Sequence, residues 1–231
     1  MPKISFEQVN VEFGERFALR DFTVTLTEKR IGIIGANGSG KSTTARLING
    51  LNEPSSGIIK IDDLEVRNNG RAVRKRIGFI FSDPENQIIM PTVAEDIALS
   101  LRNSKLSRVE KNSKTAAIMQ SLGLTHLATA SPHTLSGGEK QLLALAAILI
   151  SEPEIIVADE PTTLLDLRNR LLLKDIFAQL NQQIIVVTHD LDFIRDFDRV
   201  LWIDNAILQA DGPPQEVITA YQKAMSLPKR P

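Results

Sequence analysis

A glycine-rich segment followed by a lysine and a serine carries the clearest chemical signal in the sequence. Residues 35–42 read Gly-Ala-Asn-Gly-Ser-Gly-Lys-Ser, after the apolar run Ile31–Ile34 and before a run compatible with a helix. Glycines let the backbone turn its amides toward an anion, and a helix start adds partial positive charge. Lys41 can then reach the β- and γ-phosphates of a nucleotide, and Ser42 can offer its hydroxyl to Mg²⁺. The segment predicts a phosphate-binding loop with these members: Gly35, Ala36, Asn37, Gly38, Ser39, Gly40, Lys41, Ser42 and Thr43.

A second candidate site lies where another apolar run ends in two acids. Residues 155–160 read Ile-Ile-Val-Ala-Asp-Glu. Such a run predicts a buried parallel strand, and ligands of parallel sheets bind at the carboxyl edge. Asp159 suits Mg²⁺ through a water, and Glu160 would orient or deprotonate the water that attacks the γ-phosphorus. Together with the glycine-rich loop, these acids predict hydrolysis of a nucleoside triphosphate with Mg²⁺ as cofactor.

A third segment offers another helix start with small residues. Residues 135–141 read Leu-Ser-Gly-Gly-Glu-Lys-Gln and precede the apolar run Leu142–Ile150. Its exposed amides could bind an anion, although a serine followed by a helix also serves as an ordinary helix cap.

The elements that must position these residues alternate between strands and helices. Short runs rich in β-branched residues predict buried strands of a parallel sheet: Ile31–Ile34, Ile77–Phe81, Ile155–Ala158, Ile184–Val187 and Val200–Ile203. Segments with helical spacing come between them or after them: Ser42–Leu51, Val109–Leu122, Gly138–Ile150 and Leu167–Leu180. This order is typical of an α/β domain.

Two parts of the chain depart from that alternation. Ile4–Val11 and Phe22–Leu26 are apolar without a helix between them, which predicts a small antiparallel sheet. From about residue 87 helical spacing replaces strand-like runs, which predicts a helical lobe over approximately 87–145 inserted in the α/β core. We interpret residues 1–231 as a single domain with this insertion.

Composition excludes several classes of protein. The 27 basic and 28 acidic residues nearly cancel, so the chain lacks the basic excess of a dedicated nucleic-acid binder. The absence of cysteine excludes disulfides and thiolate metal sites and fits a reducing compartment. The longest apolar run, Leu142–Ile150, has nine residues where a membrane-spanning helix needs about 20, and the N-terminus has no apolar secretory segment. We expect a cytosolic chain whose membrane role, if it has one, is peripheral.

The motifs and their order resemble the ATP-binding cassette (ABC) ATPases. Residues 135–138 match the family signature L-S-G-G-Q, with Glu139 where Gln is usual. The resemblance implies a P-loop NTPase core with a mainly parallel sheet, an N-terminal antiparallel β subdomain and an inserted helical subdomain. It also implies a dimer, most simply a homodimer, that encloses ATP between the chains. The residues acting on the ATP of the opposite chain are then Ser136, Gly137, Gly138 and Asp166.

Further positions match the family one by one. His189, directly after a strand, looks like the switch histidine that touches the γ-phosphate and Glu160, and it counts with Glu160 as catalytic. Phe13 stands where the family places an aromatic residue against adenine. Ser82 stands where the family commonly has a Gln that senses Mg²⁺ and the membrane partner. Ser82 or Gln87 could fill that role, and the sequence does not choose between them.

The segment after Ser82 resembles one branch of the family. Asp-Pro-x-x-Gln at 83–87 and Pro-Thr-Val-x-Glu-Asp at 91–96 are similar to the energy-coupling-factor importers. Within that branch the chain is most similar to ATPase subunits of bacterial biotin importers. Its end shortly after 214–225, without the long extension of many shared-module ATPases, favours a dedicated system. The resemblance implies integral membrane partners and a peripheral position on the cytoplasmic face of the cell membrane. A cobalt, nickel or other micronutrient importer and a soluble non-transport ABC ATPase are the alternatives.

Overall fold

The structure, a computed structural model, describes residues 1–163 and 165–226. The chain divides into two compact units. Of the described residues, the first unit comprises 1–77, 154–160 and 181–226, and the second comprises 78–153, 161–163 and 165–180. The chain therefore leaves the first unit and returns to it twice.

The strands and helices follow the predicted order closely. The strands are β1 (Ile4–Phe13), β2 (Arg16–Leu26), β3 (Arg30–Ile34), β4 (Ser56–Ile61), β5 (Leu64–Glu65), β6 (Ile77–Ile80), β7 (Ile155–Asp159), β8 (Gln183–Val187), β9 (Arg199–Asp204) and β10 (Ile207–Gly212). The α-helices are α1 (Lys41–Ile48), α2 (Val66–Arg76), α3 (Val93–Leu99), α4 (Arg108–Ser121), α5 (Gly137–Leu149), α6 (Leu167–Gln179) and α7 (Pro214–Ser226). Single 3₁₀ turns occur at Pro84–Asn86, Thr125–Leu127 and Pro132–Thr134.

The first unit contains a small antiparallel sheet with the strand order β2-β1-β4-β5. Ile4 of β1 faces Leu26 of β2 and Ile61 of β4, and all three side chains are buried. The rings of Phe6 and Phe22 meet edge to face with centroids 5.2 Å apart, a favourable arrangement for aromatic pairs. The predicted N-terminal antiparallel sheet is confirmed.

A larger, mainly parallel sheet crosses the same unit. Five of its strands follow the order β10-β9-β3-β8-β7. β3 is parallel to β8 and to β9, β7 is parallel to β8, and β10 returns antiparallel to β9. All residues of β3, β7 and β8 are buried, as expected of strands covered on both faces. Because these three strands are parallel, their carboxyl ends Ile34, Asp159 and Val187 lie at one edge of the sheet.

The C-terminal helix α7 belongs to the first unit and packs on β9 and β10. The buried residues of α7 are Pro214, Val217 and Ile218. Trp202 of β9 meets Tyr221 of α7 edge to face with ring centroids 5.6 Å apart. This ring contact packs α7 against the sheet.

The second unit is mainly helical and follows β6. Its core is built by apolar residues of α3, α4, α5 and the segments between them: Val93, Ile97, Leu101, Met119, Leu124, Leu135, Leu142, Leu143, Ala146 and Ile150. α5 is buried over most of its length, since eight of its residues lose contact with solvent. The predicted helical lobe at 87–145 lies within this unit, which begins earlier and ends later. The domain boundaries stay a prediction.

Four elements of the first unit were not predicted, namely β4, the short β5, β10 and helix α2. In α2 only Val66 and Val73 are buried, and the non-helical backbone of Asn69 (φ −122°, ψ 25°) interrupts the helix. Only Val66, Ala72 and Val73 of its eleven residues are apolar, and they show no helical period, so the helix was missed because of its polar composition. Within the described residues, no helix has the length and apolar character that crossing a bilayer demands.

Candidate functional site

The glycine-rich loop connects β3 to α1 and leaves backbone donors free. Gly40 is the N-cap of α1 and supplies no side-chain cap, while the Thr44 amide donates to the Gly40 carbonyl at 2.9 Å. The amides of residues 41–43 therefore have no partner within the helix. The buried hydroxyl of Ser39 also has no hydrogen-bond partner among the described residues. Such donors at a positive helix end form an anion site.

Gly40 is needed in this loop for two reasons. Its φ of 111° lies in the left-handed region, which side-chain-bearing residues rarely adopt. A Cβ there would lie 2.2 Å from the Ala18 carbonyl oxygen of β2. The loop is thus pressed against β2, which holds the free amides in place.

Lys41 is a buried cation at the centre of the loop. Its side chain folds back so that Nζ donates to the carbonyls of Gly35 and Ala36, at 2.9 Å each. Burial lowers the pKa of Lys41, and three acidic neighbours raise it: Glu160, Asp159 and Asp204. Because an ammonium has three N–H donors, one stays available to a phosphate.

Ser42 and Asp159 come from distant parts of the sequence and meet beside the loop. The Ser42 hydroxyl donates to Asp159 Oδ1 at 2.8 Å, and the Arg46 guanidinium lies 4.0 Å from Oδ2. Asp159 is 3% exposed. Burial raises the pKa of Asp159, while Ser42 and Arg46 lower it and so favour the carboxylate form.

The oxygens of Ser42 and Asp159 fit Mg²⁺. Hydroxyl and carboxylate oxygens are hard ligands, and Mg²⁺ commonly takes one or two of them from the protein and the rest from phosphates and water. The described part of the chain holds no cluster of three or more His, Cys, Asp or Glu residues that could enclose a metal on its own. The Ser42 and Asp159 oxygens fit an ion whose remaining ligands are phosphate oxygens and water.

Glu160 and His189 form a pair at the same edge of the sheet. His189 Nδ1 lies 2.8 Å from Glu160 Oε2, and the His189 amide donates to the same oxygen at 3.2 Å. An ionised carboxylate only accepts, so this contact requires the proton on Nδ1. Glu160 has a φ of 54°, a strained backbone for a residue with a side chain, while its amide bonds the Val187 carbonyl at 2.8 Å.

A cavity of about 290 Å³ adjoins the loop. Its walls are Phe13, Arg16, Ala18, Gly38, Gly40, Lys41, Ser42 and Thr43. Phe13 ends β1 with 61% of its surface exposed, so its ring is free to stack on a planar ligand. Ala36 and Asn37 line a neighbouring cavity of about 680 Å³ that shares Arg16 and Gly38. The predicted loop residues and Phe13 are thus brought together.

We expect the Arg46→Gln variant to need about two- to fivefold less Mg²⁺ for half-maximal nucleotide hydrolysis, because the guanidinium 4.0 Å from Asp159 Oδ2 repels Mg²⁺ and competes with it for the same carboxylate. The measurement is the rate of phosphate release against Mg²⁺ concentration at saturating nucleotide. Arg46→Lys keeps the charge and serves as the control. An unchanged Mg²⁺ requirement in Arg46→Gln would show that this contact has no role.

The residues predicted to act on the ATP of a second chain, Ser136, Gly137, Gly138 and Asp166, belong to the second unit and lie at the starts of its helices. Ser136 is the N-cap of α5 in a capping box with Glu139, and Gly137 and Gly138 form the first turn. Asp166 caps α6 by accepting a hydrogen bond from the Asn169 amide at 2.8 Å. Ser136 and Asp166 therefore both serve as ordinary helix caps, beside any role toward a ligand.

Gly138 lies against the start of α6. A Cβ on Gly138 would come within 2.4 Å of the Asn169 side-chain carbon Cγ. We expect Gly138→Ala to lower the free energy of unfolding by about 1–3 kcal/mol through this overpacking. Urea unfolding measures the effect, and Asn169→Ala in the same chain should restore most of the loss. A failure of the second substitution to restore stability would place the cost elsewhere.

The two candidates for the sensing position differ in their contacts. The Gln87 side-chain oxygen accepts from the Phe81 amide at 3.1 Å, and Nε2 donates to the Ala144 carbonyl at 3.5 Å. Ser82 is half-buried and directly follows Phe81. The amide of Gln87 is thus engaged within the second unit.

Sequence reasoning did not single out Arg16 and Arg46. The Arg16 guanidinium donates to the Gly38 carbonyl at 3.3 Å and lines the cavity beside Phe13. Nothing in the local sequence signals this contact, because Arg16 lies on another strand. Arg46 had a signal: it is four residues after Ser42 in α1 and so lies on the same face of that helix.

Comparison with known proteins places these features in a family. Residues 19–163 match the family model described as "ABC transporter". A putative ABC transporter ATP-binding protein of Bartonella henselae is 46% identical over 96% of this chain and 99% of its own length. The biotin transport ATP-binding protein BioM of Rhizobium etli is 44% identical over 95% of this chain and 98% of its own length.

Solved structures similar to this chain are, like the relatives, described as ABC proteins. The structure of cbiO1 from Clostridium perfringens, described as part of the ABC transporter complex cbiONQ, superposes with a TM-score of 0.83 at 30% identity and covers 98% of this chain and 96% of that one. A dimeric ATP-binding cassette in a post-hydrolysis state, with ADP and Pi bound, gives a TM-score of 0.80 at 28% identity, covering 91% of this chain and 98% of that one. The predicted fold class is confirmed by these superpositions.

Proposed function

The chain belongs to the ABC transporter family of ATPases, and on that premise we propose that it is the ATP-hydrolysing subunit of an energy-coupling-factor importer for biotin. The observation that carries the proposal is the joining of three elements at one sheet edge. The phosphate loop with Lys41, the Ser42–Asp159 contact and the Glu160–His189 pair all follow neighbouring parallel strands. Each element alone has a structural explanation, whereas together they provide the phosphate-binding, metal-binding and water-orienting groups that phosphoryl transfer to water uses.

ATP binding follows from the free donors of the loop. The amides of residues 41–43 and the third N–H of Lys41 bind the β- and γ-phosphates, and Phe13 stacks on the adenine. Ser42 and Asp159 hold Mg²⁺. When bound, Mg²⁺ neutralises charge on the phosphate oxygens.

Hydrolysis uses Glu160 and His189, the pair beside the loop. Glu160 orients the attacking water and accepts hydrogen-bonding from it while the oxygen–phosphorus bond forms and the bond to the bridging oxygen of ADP breaks. Nδ1 of His189 is used on Glu160, so the ring donates to the γ-phosphate from Nε2 only in its doubly protonated, imidazolium form. The proton released by the water moves toward Glu160, and inorganic phosphate and ADP are the products.

Two chains and a membrane partner complete the cycle that we propose. Ser136, Gly137, Gly138 and Asp166 of one chain act on the ATP held by the other, so that ATP binding closes a homodimer and hydrolysis reopens it. The dimeric cassette with ADP and Pi supports this arrangement by similarity. The segment around the exposed Ile89 docks integral membrane subunits, which places the chain at the cytoplasmic face of the membrane as a peripheral protein.

Ser82 is the better supported of the two sensing candidates. The oxygen of Gln87 is occupied by the backbone of Phe81, so a metal would have to displace a hydrogen bond to reach it. We therefore propose Ser82, through its hydroxyl or a water, as the residue that senses Mg²⁺.

Biotin is favoured over other cargo by the names of two relatives. BioM of Rhizobium etli and BioM of Rhodobacter capsulatus are 44% and 38% identical to this chain. The test is uptake of labelled biotin, cobalt and nickel by cells that lack the gene for this chain, complemented with the wild-type or the Lys41→Ala form. Biotin uptake restored by the wild-type form alone supports the proposal. Restored metal uptake would assign a metal importer, and unchanged uptake of all three would exclude this cargo class.

A further inference from the structure

The hydroxyl of Ser136 is already engaged by a carboxylate of its own helix. Ser136 Oγ donates to Glu139 Oε2 at 2.7 Å, and the Ser136 amide donates to the same oxygen at 2.7 Å. The Glu139 amide closes the box onto Oγ at 3.4 Å. A hydroxyl has one proton, so in this arrangement Ser136 offers only lone pairs to any further ligand.

Glu139 also places a negative charge at the N-terminal end of α5, where the free amides would favour an anion. The hydrogen bonds from Ser136 hold the pKa of Glu139 below its usual range, with His126 of the Thr125–Leu127 turn contributing. The adjacent cation, Lys140, is paired with Glu85. The carboxylate therefore stays ionised at neutral pH and repels an approaching phosphate.

The chain contains a second box of the same design elsewhere. At the start of α4, Ser107 donates its amide to Glu110 Oε2 at 2.7 Å, and the Glu110 amide donates to Ser107 Oγ at 3.3 Å. α4 begins with no glycine pair and matches none of the motifs assigned to nucleotide binding. The two boxes thus share their capping role, and only the box at α5 is placed to affect ATP.

We propose that Glu139 is a positioning residue. It keeps the Ser136 hydroxyl bound to its carboxylate, and it thereby raises the ATP concentration at which two chains associate. The inference rests on the proposed function, because it requires Ser136 to face the ATP of a second chain. For Ser136 to donate to a γ-phosphate oxygen, its hydroxyl must turn away from Glu139. The Ser136 amide keeps its bond to the carboxylate during that turn, so α5 stays capped.

The experiment compares Glu139→Gln with Glu110→Gln in a Glu160→Gln chain that binds ATP without turning it over. Association is followed by sedimentation velocity against ATP concentration. A glutamine still accepts from the Ser136 amide but removes the charge and weakens the grip on the hydroxyl. We expect Glu139→Gln to lower the half-saturating ATP concentration about fivefold at low salt, and less than about twofold near 0.5 M NaCl, where charges are screened. Glu110→Gln should leave it unchanged.

Each other outcome overturns the inference. If the two substitutions have equal effects, or if the decrease in half-saturating ATP concentration does not depend on salt, then Glu139 acts only as a helix cap. The ATP-driven dimer would not be contradicted by either result. If the Glu160→Gln parent does not associate at any ATP concentration, the proposed dimer fails, and this inference fails with it. Circular dichroism melting of both variants verifies that the chains are folded.

Discussion

Glu160→Gln is expected to bind ATP within about twofold of the wild-type affinity while losing about 10²- to 10³-fold in turnover. The substitution keeps the size of the side chain, and the amide oxygen can still accept from the backbone N–H of His189. It removes the carboxylate that takes up the proton of the attacking water. Phosphate release at saturating ATP and equilibrium binding of ATP measure the two quantities separately.

Glu152→Gln is the matched control for this result. Glu152 also has a left-handed backbone, with φ 53° against 54° at Glu160, and it also pairs with a basic side chain, that of Lys114. It lies in the second unit and touches none of the nucleotide groups. We expect wild-type turnover from Glu152→Gln. A Glu160→Gln chain that hydrolyses ATP at the wild-type rate would remove Glu160 from the mechanism.

Lys41→Ala should weaken ATP binding by about 10²-fold or more, because a buried cation that contacts phosphate is lost. Two effects add. The carbonyls of Gly35 and Ala36 lose their donor, and the acids Asp159 and Glu160 then face the phosphates without a cation between them. The measurement is the dissociation constant for ATP by calorimetry.

Lys41→Met separates charge from packing in this experiment. Methionine fills most of the volume of the lysine stem, so it should preserve the loop while lacking the ammonium. We expect it to bind ATP as poorly as Lys41→Ala. If Lys41→Met binds like the wild type, the loss in Lys41→Ala comes from a collapsed loop and not from charge.

The parts of the site that could be predicted are those whose signal is local. The glycine-rich loop and the acids at 159–160 each follow a continuous apolar run, and parallel strands bring such ends to one edge. The contact between Ser42 and Asp159 could therefore be expected, although 117 positions separate them. The placement of Phe13 beside the loop was expected from family resemblance alone.

Other features have no local signal and needed the structure. Arg16 reaches Gly38 across strands, and the Glu139 carboxylate binds the Ser136 hydroxyl in one of several geometries that the same residues allow. Helix α2 was missed because most of its residues are basic or polar, so its two buried positions, Val66 and Val73, show no apolar repeat. These are consequences of tertiary packing, which a single sequence does not encode in any one window.

The single tryptophan and the single tyrosine of the chain meet at the junction of β9 and α7. On its other side, Trp202 is paired in register with Ile34, the residue that precedes the phosphate loop. Excitation of the tyrosine will therefore pass to the indole as long as α7 is seated, and emission in the tyrosine band will return when the helix detaches. The wild-type chain carries an optical reporter of its C-terminal helix, one strand away from the loop, without any added label.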